Sequence, residues 1–75
     1  MDKLGLIAGG GQLPLEVAAA CVKAGRPLFV ARLKGFADAA ALGEYPGMDV
    51  GIAEFGKCVS NLKKAGCKSV CMAGI

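Results

Sequence analysis

Three consecutive glycines, Gly9-Gly10-Gly11, are the residues of this 75-residue chain whose type and spacing best suit chemistry. They follow a short apolar run, Leu4-Gly5-Leu6-Ile7-Ala8, and precede Gln12-Leu13-Pro14 and a helical pattern. A loop passing from a strand into a helix turns backbone N–H groups and the positive end of the helix dipole toward one point. The missing side chains let an anion come close. The expected ligand is a phosphate; the competing reading is a tight turn that binds nothing, although three glycines exceed what a turn requires. A dinucleotide fingerprint, G-x-G-x-x-G, is met by Gly9 and Gly11 but has Pro14 at its third glycine. That motif also expects an acidic residue after the second strand to meet a ribose, where this chain carries Arg32 and Lys34. The two cations disfavour a nicotinamide cofactor, NADP excepted; a phosphate, a second domain or solvent alone could be their partner. A triphosphatase loop is excluded, because no Gly-Lys-Ser/Thr follows the glycines.

Few other side chains offer chemistry. Glu54 precedes a helical stretch, where a carboxylate serves as acid/base group, metal ligand or, more commonly, helix cap. No nucleophilic triad can be assembled, since the chain has no His and its only aliphatic hydroxyls are Ser60 and Ser69. The four cysteines, Cys21, Cys58, Cys67 and Cys71, sit inside apolar patterns and read as buried thiols of a reducing compartment. Cys67 and Cys71 lack both the C-x-x-C spacing and a second pair that a structural metal site needs. Hence no catalytic residue is assigned within this chain, and the metal-holding residues are unknown.

The elements that must position the glycine loop follow from punctuation and periodicity. Leu4–Ala8 has the length and continuous apolarity of a strand buried on both faces. A helix runs from Pro14 to Ala24, with Glu16 in its first turn and Gly25 as its stop. Val17 with Cys21 and Ala18 with Val22 define its expected inner stripe. Leu28–Leu33 is a second strand, residues 34–47 an irregular connection with a helical turn over Ala37–Leu42, and Met48–Ile52 a third strand. Phe55, Cys58, Val59 and Leu62 mark a second helix ending near Gly66, and Ser69–Ala73 is the last strand. Short strands alternating with helices give an α/β fold, a Rossmann-like open parallel sheet built from βαβ units.

Composition bounds the rest. A chain 55% hydrophobic and 20% charged, with mean hydropathy +0.53, buries a core rather than staying disordered. With four aromatic residues and no Trp, that core is aliphatic. Nine basic against six acidic residues give +3 spread along the chain, so nucleic acid is not the expected partner. No apolar stretch approaches the roughly 20 residues of a membrane span. Seventy-five residues are at most one domain. A four-strand sheet whose last strand has no helix after it is expected to leave one face uncovered, as in the N-terminal part of a two-domain protein.

Three strings, Lys3-Leu4-Gly5-Leu6-Ile7-Ala8-Gly9-Gly10-Gly11-Gln12-Leu13-Pro14, Val50-Gly51-Ile52-Ala53-Glu54-Phe55-Gly56-Lys57 and Val70-Cys71-Met72-Ala73-Gly74, together resemble the N-terminal domain of the LpxI type of UDP-2,3-diacylglucosamine pyrophosphatase. The resemblance covers essentially the whole chain. It implies a cytoplasmic enzyme peripheral to the inner membrane of Gram-negative bacteria, acting in lipid A synthesis. Such an enzyme hydrolyses its UDP-linked acylated glucosamine substrate to UMP and 2,3-diacylglucosamine 1-phosphate with a divalent cation, Mg²⁺. It also implies a C-terminal domain carrying the catalytic acid, with Gly10, Gly11, Gln12, Ala73 and Gly74 as this domain's substrate-binding positions. The alternatives are a non-catalytic phosphate-binding module, a fragment of a nicotinamide-dependent oxidoreductase, and a structural half whose glycines are only turns. The 75 residues alone are expected to be marginally stable and catalytically inert; turnover of a UDP-linked lipid by this chain contradicts that expectation.

Overall fold

The computed structural model describes residues 1–75 throughout. In chain order the elements are β1 (Leu4–Ala8), α1 (Leu13–Ala24), β2 (Leu28–Leu33), α2 (Ala39–Leu42), β3 (Gly47–Val50), a 3-10 turn (Ile52–Glu54), α3 (Phe55–Lys64) and β4 (Ser69–Ala73). The four strands form one parallel sheet in the order β3-β2-β1-β4, as the βαβ reading requires. β1 is central and buried along its whole length. Leu4 lies beside Leu28 and Ser69, and Ala8 beside Arg32 and Ala73.

Both faces of the sheet carry helices, so the expected uncovered face is confined to β4, where Val70 and Met72 lie exposed on the α3 side. Leu4, Leu6, Ala8, Leu28 and Val30 pack against Ala18 and Cys21 of α1 and Leu42 of α2. On the opposite face Ile7, Ala31 and Val50 pack against Cys58 and Leu62 of α3 and against Cys67. A strand flanked by helices on both sides must be apolar at every position, which is why β1 reads as an unbroken run. Gly5 is small for a packing reason: a Cβ there would come within 3.0 Å of a Leu62 methyl and 3.2 Å of the Cys67 sulfur.

Most of each expected stripe faces the core, Val17, Ala18 and Cys21 in α1 and Phe55, Cys58 and Leu62 in α3, with one residue of each helix departing from it. In α1 the buried positions are Pro14, Ala18 and Cys21, whereas Val22 is 62% exposed. Pro14 sits close to Gly74, whose added Cβ would lie 2.9 Å from the proline ring. Gly25 ends α1 in the left-handed conformation, φ 71°, and Arg26 donates its backbone N–H to the Cys21 carbonyl at 2.8 Å. In α3 only Cys58 and Leu62 are fully inside, and Val59, expected on the inner stripe, is 41% exposed. Lys57, Lys63 and Lys64 face solvent as expected. The Lys3 ammonium caps the helix end, donating to the Ala65 carbonyl at 2.7 Å.

The third strand is shorter than Met48–Ile52. Ile52 belongs instead to the 3-10 turn, which closes because the Glu54 N–H donates to the Gly51 carbonyl at 2.9 Å. The α2 turn is started by Asp38, whose carboxylate accepts from the Ala41 N–H at 3.0 Å. Leu62→Ala, which empties the centre of the α3 face, is expected to lower the unfolding free energy by about 2–5 kcal/mol. Val59→Ala is expected to change it by less than about 1 kcal/mol. Urea denaturation of both variants measures the contrast, and equal losses would contradict this packing.

Candidate functional site

The carboxyl ends of β1, β2 and β4 meet at one edge of the sheet, where open α/β sheets receive ligands. The chain after β1 is bound to the chain after β4 through main chain alone. Gly9 donates its N–H to the Ala73 carbonyl at 2.8 Å, and Gly10 to the Gly74 carbonyl at 3.0 Å. No side chain fits between the two segments. A Cβ on Gly9 would collide with the Gly74 carbonyl, and one on Gly74 would collide with the Gly10 carbonyl. On the other flank a Cβ on Gly10 would approach the Phe36 carbonyl to 3.1 Å. Gly11 is constrained differently: it has open space around it but a φ of +82°, which side chains disfavour.

The structure therefore brings together all five sequence-predicted substrate positions, with unequal roles. Gly10 and buried Ala73 are engaged in the seam between the strand ends. Gly74, Gly11 and Gln12 are exposed. The N–H groups of Gly11 and Gln12 donate to no backbone or side-chain group, and Gln12 is the N-cap of α1 with its own side chain unused in capping. The unpaired N–H donors of the glycine loop are thus those of Gly11 and Gln12, next to the first turn of α1, rather than those of all three glycines. The third-glycine position of a fingerprint is filled by Pro14 because the ring packs beneath Gly74 at the first turn of the helix, where a missing N–H costs nothing.

Beside the loop lies an open hollow of about 140 Å³ lined by Gly9, Leu33, Phe36, Ile52, Gly74 and Ile75. Sequence reasoning missed Phe36 and Ile52 as part of this edge. The available signal was positional: each is an apolar residue just after a glycine, Gly35 or Gly51, a short step beyond a strand end and outside any periodic stripe.

A second hollow of about 210 Å³ includes Arg32, Lys34, Gly35 and Asp49. Arg32 is not a free cation. Its Nε donates to Asp49 Oδ1 at 2.8 Å, and its Nη1 lies 3.4 Å from the Leu42 and Tyr45 carbonyls. It ties β2 to β3 across their register pair. With Asp49 more than half exposed, the pair contributes little stability and mainly fixes position. Lys34 is exposed beside it, on the same edge as the glycine loop. Glu54 has the cap role, its carboxylate accepting from the Gly51 N–H at 3.2 Å.

Cys21, Cys58 and Cys67 are buried and Cys71 is half-buried, all as free thiols. Burial pushes the Cys58 thiol above its ordinary value. It does the same at Cys67, where the Lys3 ammonium partly offsets it. Both stay protonated near neutral pH and are inert as nucleophiles. No three of the chain's Cys, Asp and Glu side chains come together to hold a metal ion, so the magnesium implied by the resemblance finds no ligand set among residues 1–75.

Comparison with known proteins agrees with the three strings. Residues 3–75 match the LpxI N-terminal domain family. The chain is 58% identical over 74 residues to a protein of Caulobacter vibrioides named UDP-2,3-diacylglucosamine pyrophosphatase LpxI. The match spans 99% of this chain but only 26% of that relative, so the chain covers about a quarter of the relative's length.

The raised thiols have a signed consequence. The folded state holds those protons to higher pH than the unfolded state, so their contribution to stability is complete below the ordinary thiol range and is lost as pH rises through the raised values. Stability is expected to fall above about pH 9, and the fall to be shallower in Cys58→Val. Urea midpoints of both proteins across that range measure it; identical profiles would contradict the assignment.

Proposed function

The chain belongs to the LpxI family through its N-terminal domain, and we propose that the full-length protein hydrolyses the pyrophosphate bond of UDP-2,3-diacylglucosamine. Water adds to one phosphorus, the bridging P–O bond breaks, and UMP and 2,3-diacylglucosamine 1-phosphate leave, a step of lipid A synthesis. The observation that carries the reading is the 58% identity spread over 99% of this chain with a protein bearing that name.

In this proposal residues 1–75 position and do not cleave. The free N–H groups of Gly11 and Gln12 and the positive end of α1 take one oxygen-rich part of the diphosphate, while the Gln12 amide supplies a movable donor. Gly74, held against Gly10, keeps the opposite wall low enough for a phosphate to approach. The apolar hollow at Phe36 and Ile52 excludes water from one side of the bound substrate. Catalytic groups and the ligands of a magnesium ion are supplied by the C-terminal domain. Cytoplasmic residence at the surface of the inner membrane belongs to the same proposal and rests on the acylated substrate; no helix of this chain is long and apolar enough to cross a membrane.

The test is release of UMP from UDP-2,3-diacylglucosamine by the full-length protein, with and without Mg²⁺, for Gly11→Asn and Gly11→Asp. Both side chains tolerate the left-handed backbone comparably, so they share its cost and differ by a charge. The account expects magnesium-dependent release, retained in Gly11→Asn and reduced in Gly11→Asp by about 10- to 1,000-fold, the effect of a like charge near 4 Å at intermediate dielectric. No release by folded full-length protein would leave a phosphate-binding module as the better reading.

A further inference from the structure

The edge strand β4 is built like an interior strand. Its residues Val70, Cys71, Met72 and Ala73 are apolar on both faces, and it carries none of the charges, prolines or bulges that protect natural sheet edges. On the α1 face this is satisfied, since Ala73 and Cys71 join the core there. On the α3 face it is not. Val70 lies beside Gly5 and Met72 beside Ile7, both buried, yet Val70 is 44% and Met72 54% exposed.

The path of the chain says what belongs there. The connections β1-α1-β2 and β2-α2-β3 step toward the β3 edge and place their helices on one face. The connection β3-α3-β4 steps the opposite way and places its helix on the other. Parallel crossovers keep one hand. A further crossover continuing past β4 must therefore lay its helix on the α3 face, over Val70 and Met72, and return a strand to the open edge of β4. Seventy-four per cent of the Caulobacter relative lies outside the 26% that matches, ample sequence for such a unit.

We infer that the Val70–Met72 face is the docking surface for an amphipathic helix of the same polypeptide, beside α3, followed by a strand that pairs with β4. The inference does not depend on the enzymatic reading. The test uses full-length protein carrying Val70→Cys or Met72→Cys, labelled with a maleimide under native conditions and counted by intact mass. The reference is the labelling rate of the same protein unfolded in urea. The expected result is labelling slowed by about 100-fold or more at both positions and independent of protein concentration, as for thiols released only by local opening. Labelling near the unfolded rate overturns the inference, and protection that disappears on dilution overturns it in favour of a second copy of the chain. Hydrogen exchange on the unsubstituted full-length protein covers the case in which a variant does not fold. Slow exchange of the β4 amides that point away from β1 is expected, and fast exchange is contrary.

Discussion

The ends of β1 and β4 are joined by two main-chain hydrogen bonds, Gly9 to Ala73 and Gly10 to Gly74, and the rest of the ligand edge depends on that seam. The approach is so close that neither Gly9 nor Gly74 has room for a single carbon. Because the seam consumes the N–H groups of Gly9 and Gly10, it decides which donors remain free. It also brings Gly74 against Pro14 at the first turn of α1, whose Ala18 and Cys21, not Val22, meet the sheet. One backbone constraint thus links the ends of two strands to the donors left free at the edge.

A second, looser constraint holds the neighbouring edge. Arg32 and Asp49 bridge β2 and β3, and Glu54 closes the turn into α3. These charged groups are spent on geometry at a place where sequence alone suggests chemistry. What stays uncommitted at the carboxyl edge is small and specific: Gly11, Gln12, Gly74, the exposed Lys34, and an apolar hollow. Such an arrangement suits a domain that holds one side of an anionic ligand and relies on another for reactive groups.

Much of this was legible in residue order. β1 announced itself by five apolar residues stopped by glycine, and β2 and β4 fell where the pattern placed them, because buried parallel strands leave little choice of residue type. The five positions expected to meet substrate from the resemblance lie together, because β1 and β4 are paired in register. The helix faces were legible except at their margins: Val22 and Val59 match the apolar period yet lie exposed at the edge of the stripe, which periodicity alone does not resolve. The division of the three glycines into two that are crowded and one that is strained was also hidden, since a close approach between residues 9 and 74 has no local signature. For the same reason Phe36 and Ile52 were missed.

The central claim is that Gly11 and Gln12, and not Gly9 and Gly10, present the donors that meet the diphosphate. The most direct measurement is a titration of ¹⁵N-labelled full-length protein with the proposed ligand, UDP-2,3-diacylglucosamine, without metal to prevent turnover, following the four backbone amides by NMR. The account predicts that the Gly11 and Gln12 amides shift strongly on binding while Gly9 and Gly10 stay near their free positions, because their hydrogen bonds to Ala73 and Gly74 persist. Saturable binding that leaves Gly11 and Gln12 unmoved would contradict it.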